Sequence, residues 1–357
     1  MARIFTYGFE NKLSASSTYA PKELDGIPIV SNYGFSQYKE GRVSGYSARF
    51  WGNSKTSTYA YMNLTETLIG SNNEVYIRLW FKNDNYYSGG GDTNKCDFLV
   101  VSNDTTELCK VRIMPLTTAS FKFAVYDNAD NELYISYEIA SLVWHKLDLK
   151  VKIGESGQIA LKLNDRSIYD STQNLGTTPI KNIKIGVIKN YNSAVSLYMD
   201  DIAINNNLGT TNNSWCGNGY VKKLIPITNG SKVEFTPSTN TNYKNLIEDL
   251  GDGNTTTNST DVIGATDLFS LTKISTTENS NTKLNYCKLL INACYTEHGV
   301  SLIPVIKDGD QERTLEATAL GIDYAYKAYD ILTNPSTALP YTFEELDKLE
   351  FGYRNGG

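Results

Sequence analysis

The feature that most constrains the fold is a succession of short segments in which apolar and polar residues alternate. The clearest are Glu74–Lys82 (EVYIRLWFK) and Trp144–Ile153 (WHKLDLKVKI). Because successive side chains of a β-strand point to opposite faces of a sheet, this period predicts strands with one buried face. Turn signals such as Gly154–Gly157 (GESG) separate the segments at roughly the 8–12-residue spacing of a sandwich. The sequence therefore predicts an all-β fold, with a β-sandwich over residues 1–206 that the strand Val195–Asn205 closes.

The remaining residues predict an arm and a second domain. A chain of 357 residues exceeds the usual size of one domain, so we expect two. Residues 207–260 are polar, with one short strand-like stretch at Gly219–Ile227, which predicts an extended connecting arm. Residues 261–357 predict a smaller C-terminal β-sandwich. It includes a short helix at Thr342–Leu349, which begins with the S/T-x-x-E spacing of a capping box.

Charge and hydropathy argue against two classes of partner. The net charge is −6 and no dense run of Lys or Arg occurs, so we expect no nucleic-acid partner. No stretch approaches the roughly 18 apolar residues of a membrane span, and Met1–Tyr7 lacks the pattern of a signal peptide. We therefore expect a soluble chain without membrane insertion.

The cysteines and histidines offer little chemistry. Five cysteines form an odd set without C-x-x-C spacing, which predicts unpaired thiols. The two histidines are His145 and His298, and His145 falls on the apolar face of its predicted strand. The motifs G-x-S-x-G and H-E-x-x-H are absent from the sequence. Paired carboxylates such as Glu10 and Asp201 leave a glycosidase open, but no pattern places them across a cleft, so we predict a non-enzymatic protein.

The closing segments of the N-terminal region resemble a known fold. The order WHKLDLKV (144–151), GESGQIALKLNDRSI (154–168) and SLYMDDIAIN (196–205) is similar to the closing half of concanavalin-like and laminin-G-like domains. This resemblance implies that residues 1–206 form a lectin-like jelly-roll sandwich.

A longer succession of motifs runs through most of the chain. The motifs, in chain order, are Asp200–Asn205, Trp215-Cys216-Gly217, Val221–Pro226, Asp261-Val262, Asp267-Leu268-Phe269 and the tail Asn334–Thr342. This succession resembles a group of bacteriophage virion proteins. The resemblance implies a non-enzymatic tail, neck or capsid-surface appendage, located in the virion and assembled in the host cytoplasm. Its expected partners are other copies of the chain and other virion proteins.

Asp200 and Asp201 are the most informative polar pair. On a regular strand their side chains would point to opposite faces, so at most one would face a given site. One hypothesis is a Ca²⁺ site with Asp201 and Glu10 as ligands, the one cofactor that the sequence leaves open. The favoured interpretation is structural, because no complete calcium-loop pattern accompanies the pair, and a carboxylate can accept backbone N–H groups at a turn.

Aromatic residues predict two kinds of contact surface. Tyr86, Tyr87 and Tyr191 lie in a Gly-rich loop or at a strand end and could bind glycan, which supports an alternative function as a lectin-like carbohydrate-binding module for host attachment. Tyrosine-rich surfaces equally suit protein contacts. Isolated anchors in the predicted arm are candidates for contact between subunits: Trp215, Leu224, Ile225 and Phe235.

Overall fold

The protein is described from a computed structural model, which divides it into two compact units, Met1–Lys222 and Lys223–Gly357. The described residues are 3–7, 23–24, 27–32, 35–42, 46–52, 57–63, 74–84, 95–103, 106–191, 194–208, 212–239, 241–248, 256–275, 284, 287–295, 300–331, 333–334, 337 and 339–357. Within these ranges, no helix has the length and hydropathy of a membrane-spanning segment.

In the first unit, the regular elements of the described residues are β-strands. In chain order the described strands are β1 (Arg3–Tyr7), β2 (Glu23–Leu24), β3 (Ile27–Asn32), β4 (Phe35–Glu40), β5 (Tyr46–Gly52), β6 (Ser57–Asn63), β7 (Glu74–Asn83), β8 (Cys96–Ser102), β9 (Glu107–Pro115), β10 (Ser120–Tyr126), β11 (Glu132–Ile135), β12 (Ile139–Ala140), β13 (His145–Lys152), β14 (Gly157–Leu163), β15 (Arg166–Gln173), β16 (Asn182–Asn190) and β17 (Val195–Asn206).

These strands form two antiparallel sheets. The first sheet has the order β15-β14-β13-β7-β17-β5-β4, and β1 also pairs with β17. The second has the order β11-β10-β9-β8-β16-β6-β3-β2, and β12 also pairs with β10. The long strand β17 joins its sheet by pairing with β7 on one side and with β5 on the other. The predicted all-β sandwich is thereby confirmed.

The core of this unit follows from the alternation in the sequence. Val75, Ile77, Leu79 and Phe81 of β7 are at most 1% exposed and form one cluster with apolar residues from both sheets. Burial of such surface contributes about 25 cal/mol for each Å² removed from water. The alternate residues of the same strands are therefore left on the opposite face of each sheet.

The described residues of the second unit form a larger sheet, two strand pairs and two short helices. The sheet has the order β18-β21-β27-β23-β24, with β25 on β23, and the strand pairs are β19-β20 and β22-β26. The elements are β18 (Pro226–Val233), β19 (Thr236–Pro237), α1 (Asn242–Glu248), β20 (Asn258–Ser259), β21 (Thr266–Leu271), β22 (Lys288–Ala293), β23 (Ser301–Asp308), β24 (Gln311–Thr314), β25 (Thr318–Ala319), β26 (Ala325–Asp330), α2 (Phe343–Leu346) and β27 (Glu350–Asn355).

The predicted capping box is confirmed at the start of α2. The backbone N–H of Glu345 donates to Thr342 Oγ1 at 3.2 Å, and the Thr342 N–H donates to Glu345 Oε2 at 2.7 Å. The side chain of Leu346 is then buried against Phe351 of β27 in an apolar cluster of this unit. Local sequence was sufficient here because both partners lie within one turn.

The structure divides the chain at a different place from the sequence prediction. Residues 207–260 are not one connecting arm, because the part up to Lys222 belongs to the first unit and the rest to the second. The strand expected at Gly219–Ile227 instead begins at Pro226, where β18 joins the sheet of the second unit. Phe235 packs on Tyr353 with ring centroids 5.0 Å apart. The sequence did not predict these contacts, because the region is polar and its partners lie far away in the chain.

Candidate functional site

The candidate site lies on the first sheet of the first unit, which contains β7 and β17 and has eight described strands. It is on the outer face of this sheet, the face turned away from the core. Trp80 alternates with buried Leu79 and Phe81, and Trp51 follows buried Phe50, so both rings belong to this face. The chain has four tryptophans, and all of them contact or belong to this face: Trp51, Trp80, Trp144 and Trp215.

A line of four side chains on this face crosses the neighbouring strands β13, β7, β17 and β5. Tyr198 of β17 is paired with Lys82 of β7 on one side and with Arg49 of β5 on the other. Trp144 immediately precedes β13, whose first residue pairs with Phe81, and therefore lies beside Lys82. All four side chains are partly exposed. We call Trp144, Lys82, Tyr198 and Arg49 the aromatic–cation row.

The cations of the row lie against its rings. Lys82 Nζ is 4.4 Å from the ring centroid of Tyr198 and 5.1 Å from that of Trp144. The Arg49 guanidinium carbon lies 5.9 Å from the Tyr198 centroid. A cation within about 6 Å of an aromatic centroid is attracted to the ring. The row therefore presents alternating apolar and positively charged groups, held in position by one another.

Residues 212–222 cover another part of the same face. The Trp215 ring contacts Tyr76 edge-on, with centroids 5.5 Å apart, and Lys162 Nζ lies 4.1 Å from the Trp215 centroid. Arg78 donates through Nη1 to the Gly217 carbonyl at 3.2 Å. The N–H of Val221 donates to Asp201 Oδ1 at 2.6 Å. The outer face thus has a part covered by its own chain and a part, at the row, that is not covered by this segment.

A β-bulge in β17 positions the two aspartates. The pairing with β7 shifts by one residue between Asp200 and Ala203, and Asp201 has a positive φ of 49°. Arg42 donates a backbone N–H to Asp200 Oδ2 at 2.8 Å, and its Nε and Nη2 donate to Asp201 Oδ2 at 2.9 and 2.7 Å. The expectation that the two side chains point to opposite faces is wrong, because the bulge interrupts the alternation and both carboxylates contact Arg42.

The contacts of the aspartates are those of a structural pair. Asp200 Oδ1 accepts the N–H of Asp201 at 2.8 Å, and the Asp201 carbonyl accepts Arg78 Nη2 at 3.0 Å. Burial raises the pKa of Asp200, and the neighbouring Asp201 charge adds to the shift. Burial also raises the pKa of Asp201. Each oxygen of this pair accepts an N–H, while Glu10, the other predicted calcium ligand, lies outside the described residues.

A second polar cluster lies beneath the covering segment. Lys146, which is 1% exposed, contacts Asp165 and Asn218, and its Nζ lies 3.5 Å from Asp148 Oδ2. Burial raises the pKa of Asp148. Within the described residues, Asp148 Oδ1 has no hydrogen-bond donor. Lys146 therefore links the sheet to the loop after β14 and to residue 218 of the covering segment.

The other predicted site residues lie elsewhere. Tyr191 immediately follows β16 of the second sheet, where its hydroxyl donates to Asp97 Oδ2 at 3.1 Å and its ring centroid lies 4.5 Å from the Arg112 guanidinium carbon. Tyr86 and Tyr87 lie outside the described residues. The structure therefore does not bring Tyr191 together with the row.

The predicted subunit anchors have partners in their own units. Trp215 packs on Tyr76, and Phe235 joins an apolar cluster with Tyr353. The Ile225 N–H donates to Thr272 Oγ1 at 3.2 Å, and its carbonyl accepts the Thr272 N–H at 2.8 Å. Leu224 is partly buried beside it. Contact with another subunit stays a prediction for these four residues.

His145 has the environment that its sequence position predicts. Its ring lies among Phe81 and Phe121, with centroid distances of 5.8 and 5.9 Å. One ring nitrogen is 2.8 Å from the Ala140 carbonyl oxygen. Burial lowers the pKa of the imidazole, so the neutral form is favoured. This histidine belongs to the core side of β13 and does not face the row.

Comparisons with known proteins concern the fold alone. No protein-family model and no curated protein matches the chain. Among solved structures, the cellulose-induced protein Cip1 is 13% identical, with a TM-score of 0.41 over 60% of this chain and 100% of its own. An endo-β-1,4-glucuronan lyase from the fungus Trichoderma reesei is 10% identical, with a TM-score of 0.37 over 57% of this chain and 95% of its own. The binding domain of botulinum neurotoxin DC is 11% identical, with a TM-score of 0.36 over 99% and 81%. At these values function has to be argued from the residues.

Proposed function

We propose that the first unit binds carbohydrate at the aromatic–cation row. The observation that supports this is the alternation of Trp144, Lys82, Tyr198 and Arg49 along one partly exposed line. Sugar rings have apolar C–H faces that pack on aromatic side chains, and hydroxyls that bond to charged and polar groups. Ligand sites combine such apolar surface with a few polar groups that fix orientation.

The dimensions of the row suit an oligosaccharide. The row crosses three gaps between strands, each about 4.8 Å wide, and therefore extends about 14 Å. Its side chains come from strands of one sheet, which are more rigid supports than loops. Around Arg49, polar groups are already oriented: its Nε donates to Ser196 Oγ at 2.8 Å and its Nη2 lies 3.2 Å from Asp84 Oδ2. A short oligosaccharide lying across the strands would contact every member of the row.

Glycan-array binding followed by calorimetry tests this function. Tyr198→Ala and Trp144→Ala should each weaken the affinity for a bound glycan at least about tenfold, because each removes an aromatic contact. Tyr137→Ala is the matched control, since Tyr137 is 52% exposed but lies after β11 of the other sheet. A blank array, or equal losses in Tyr137→Ala, would contradict the proposal.

The same experiment separates binding from two rival roles of the row. If the row were a contact between subunits, Tyr198→Ala would change the molar mass measured by light scattering and leave glycan binding intact. If it were an active site, the bound glycan would be depolymerised, and Tyr198→Phe would abolish that turnover. The proposed function predicts an unchanged molar mass and no turnover.

The role as a phage virion appendage stays a proposal based on the sequence resemblance. It is compatible with carbohydrate binding, since a lectin-like unit of an appendage could attach the particle to a host surface. Immunoelectron microscopy of purified phage particles tests this role. Absence of the protein from the particles would reject it.

A further inference from the structure

The charge of Lys82 is the feature from which a ligand class can be inferred. In the row, Arg49 is paired with Asp84 at 3.2 Å. Lys82, in contrast, lies between the rings of Tyr198 and Trp144, and among the described residues no carboxylate is within ion-pair distance of its Nζ. The two cations of the row therefore differ: Arg49 has an anionic partner, whereas Lys82 has none in the part of the chain that the structure describes.

The ring contacts position Lys82 without neutralising it. A cation above an aromatic ring keeps its full charge, and its ammonium group still has N–H donors that can bond to a ligand acceptor. No described oxygen accepts a hydrogen bond from Lys82, although the side chain is partly buried. A partly buried ammonium gains most from a ligand atom that is both an acceptor and an anion.

The neighbouring carboxylates do not occupy this position. Asp200 pairs with Trp80, two residues before Lys82 on β7. It is 1% exposed and accepts the N–H groups of Arg42 and Asp201. Asp84 contacts Arg49 and Ser196. Within the described residues, the row therefore presents an uncompensated positive charge next to aromatic surface.

We infer that the carbohydrate bound at the row is anionic and that its carboxylate or sulfate binds Lys82. The inference rests on the proposed carbohydrate site and specifies its ligand class. Neutral portions of the glycan contact the rings of Trp144 and Tyr198, while the anionic group lies at the ammonium between them. Arg49, on the other side of Tyr198, is paired with Asp84 and bonded to Ser196, so the anionic group of the ligand is assigned to Lys82.

Paired glycans that differ only in charge test this inference. One pair is oligogalacturonate and its fully methyl-esterified form, and the other is dextran sulfate and dextran. We expect the protein to bind the anionic member of at least one pair about tenfold more tightly, as expected for a hydrogen bond to a charged group. The pair that shows the preference identifies the anion as carboxylate or sulfate.

Variants assign the preference to one side chain. Lys82→Gln should abolish the preference, and Lys82→Arg should restore most of it, which also shows that the site still folds. Lys152→Gln is the matched control, because Lys152 is an exposed lysine on the outer face of β13, away from the row. An equal loss in Lys152→Gln would mean general charge attraction and overturn the assignment.

The outcomes also separate this inference from the proposed function. Equal affinity for the charged and neutral members of both pairs would overturn the anionic ligand class but leave carbohydrate binding intact. Failure to bind any of these four glycans or any member of a glycan array would reject both.

Discussion

Asp200 shows how one buried side chain can make stability depend on pH. Burial and the adjacent Asp201 charge raise the pKa of Asp200 in the folded state above its ordinary value of 3.8. In the unfolded chain the carboxyl has its ordinary pKa, so over the interval between the two values only the folded state holds the proton. The free energy of unfolding therefore falls as pH rises through this interval, by roughly 1.4 kcal/mol for each pH unit.

The variant Asp200→Asn tests this dependence. The amide has no charge at any pH, so the fall in unfolding free energy between about pH 5 and about pH 8 should become smaller than in the wild type. The amide can also place its own N–H against the backbone N–H of Arg42. This unfavourable contact would lower the free energy of unfolding by an amount that does not depend on pH. The readout is therefore the slope from denaturant titrations at several pH values, and not the stability itself.

The control for this slope is Asp170→Asn. Asp170 is exposed on β15 of the same sheet, so its substitution should leave the slope unchanged. An unchanged slope in Asp200→Asn would show that Asp200 is ionised in the folded protein throughout this range.

At the scale of elements, the segment 212–222 depends on Trp215. The ring contacts Tyr76 and Lys162, while neighbouring residues bond to Arg78 and Asp201. Trp215→Ala should lower the free energy of unfolding by about 2 kcal/mol, less than for a fully buried tryptophan because this ring is partly exposed. Limited proteolysis should then cleave the segment faster, because it opens more readily.

A comparison of two tryptophans separates stability from binding. Trp215→Ala should change stability and leave the glycan affinity within about twofold, whereas Trp144→Ala should change affinity more than stability. If Trp215→Ala altered the molar mass in solution instead, the original prediction of a subunit contact at this residue would be favoured.

Sequence alone predicted the regular strands well, because their signal is local. The prediction for Glu74–Lys82 differs by one residue from β7, and the core residues Ile77 and Leu79 follow from the period of two. The four tryptophans fall on polar faces of predicted strands or in the predicted arm, and this was the available signal for the outer face.

The features of the candidate site that the sequence did not predict depend on contacts between residues far apart in the chain. A bulge adds one residue to a strand without changing its composition, so the shared orientation of Asp200 and Asp201 toward Arg42 could not be read from alternation. The row requires knowing that β17 lies between β7 and β5, which is a property of the sheet order. The sequence predicts an arm at Trp215 for the same reason: its partner Tyr76 lies far away in sequence, so no local pattern indicates their contact.

At the scale of the whole molecule, the two units have separate cores. The large cluster that contains Leu147 is formed by residues of the first unit, and the cluster that contains Phe351 is formed by residues of the second. When cores are separate, unfolding is not expected to follow one two-state transition. The tryptophans provide a selective probe, because all four precede Lys223 and none belongs to the second unit.

Two core substitutions should therefore shift different signals in denaturant unfolding. Leu147→Ala, at a side chain with 0% exposure, should destabilise the first unit by about 2–5 kcal/mol and lower the midpoint measured by tryptophan fluorescence. Phe351→Ala, at 3% exposure, should lower the midpoint of part of the circular dichroism signal and leave the fluorescence midpoint unchanged. A fluorescence midpoint that falls equally in both variants would mean that the units unfold together, in spite of their separate cores.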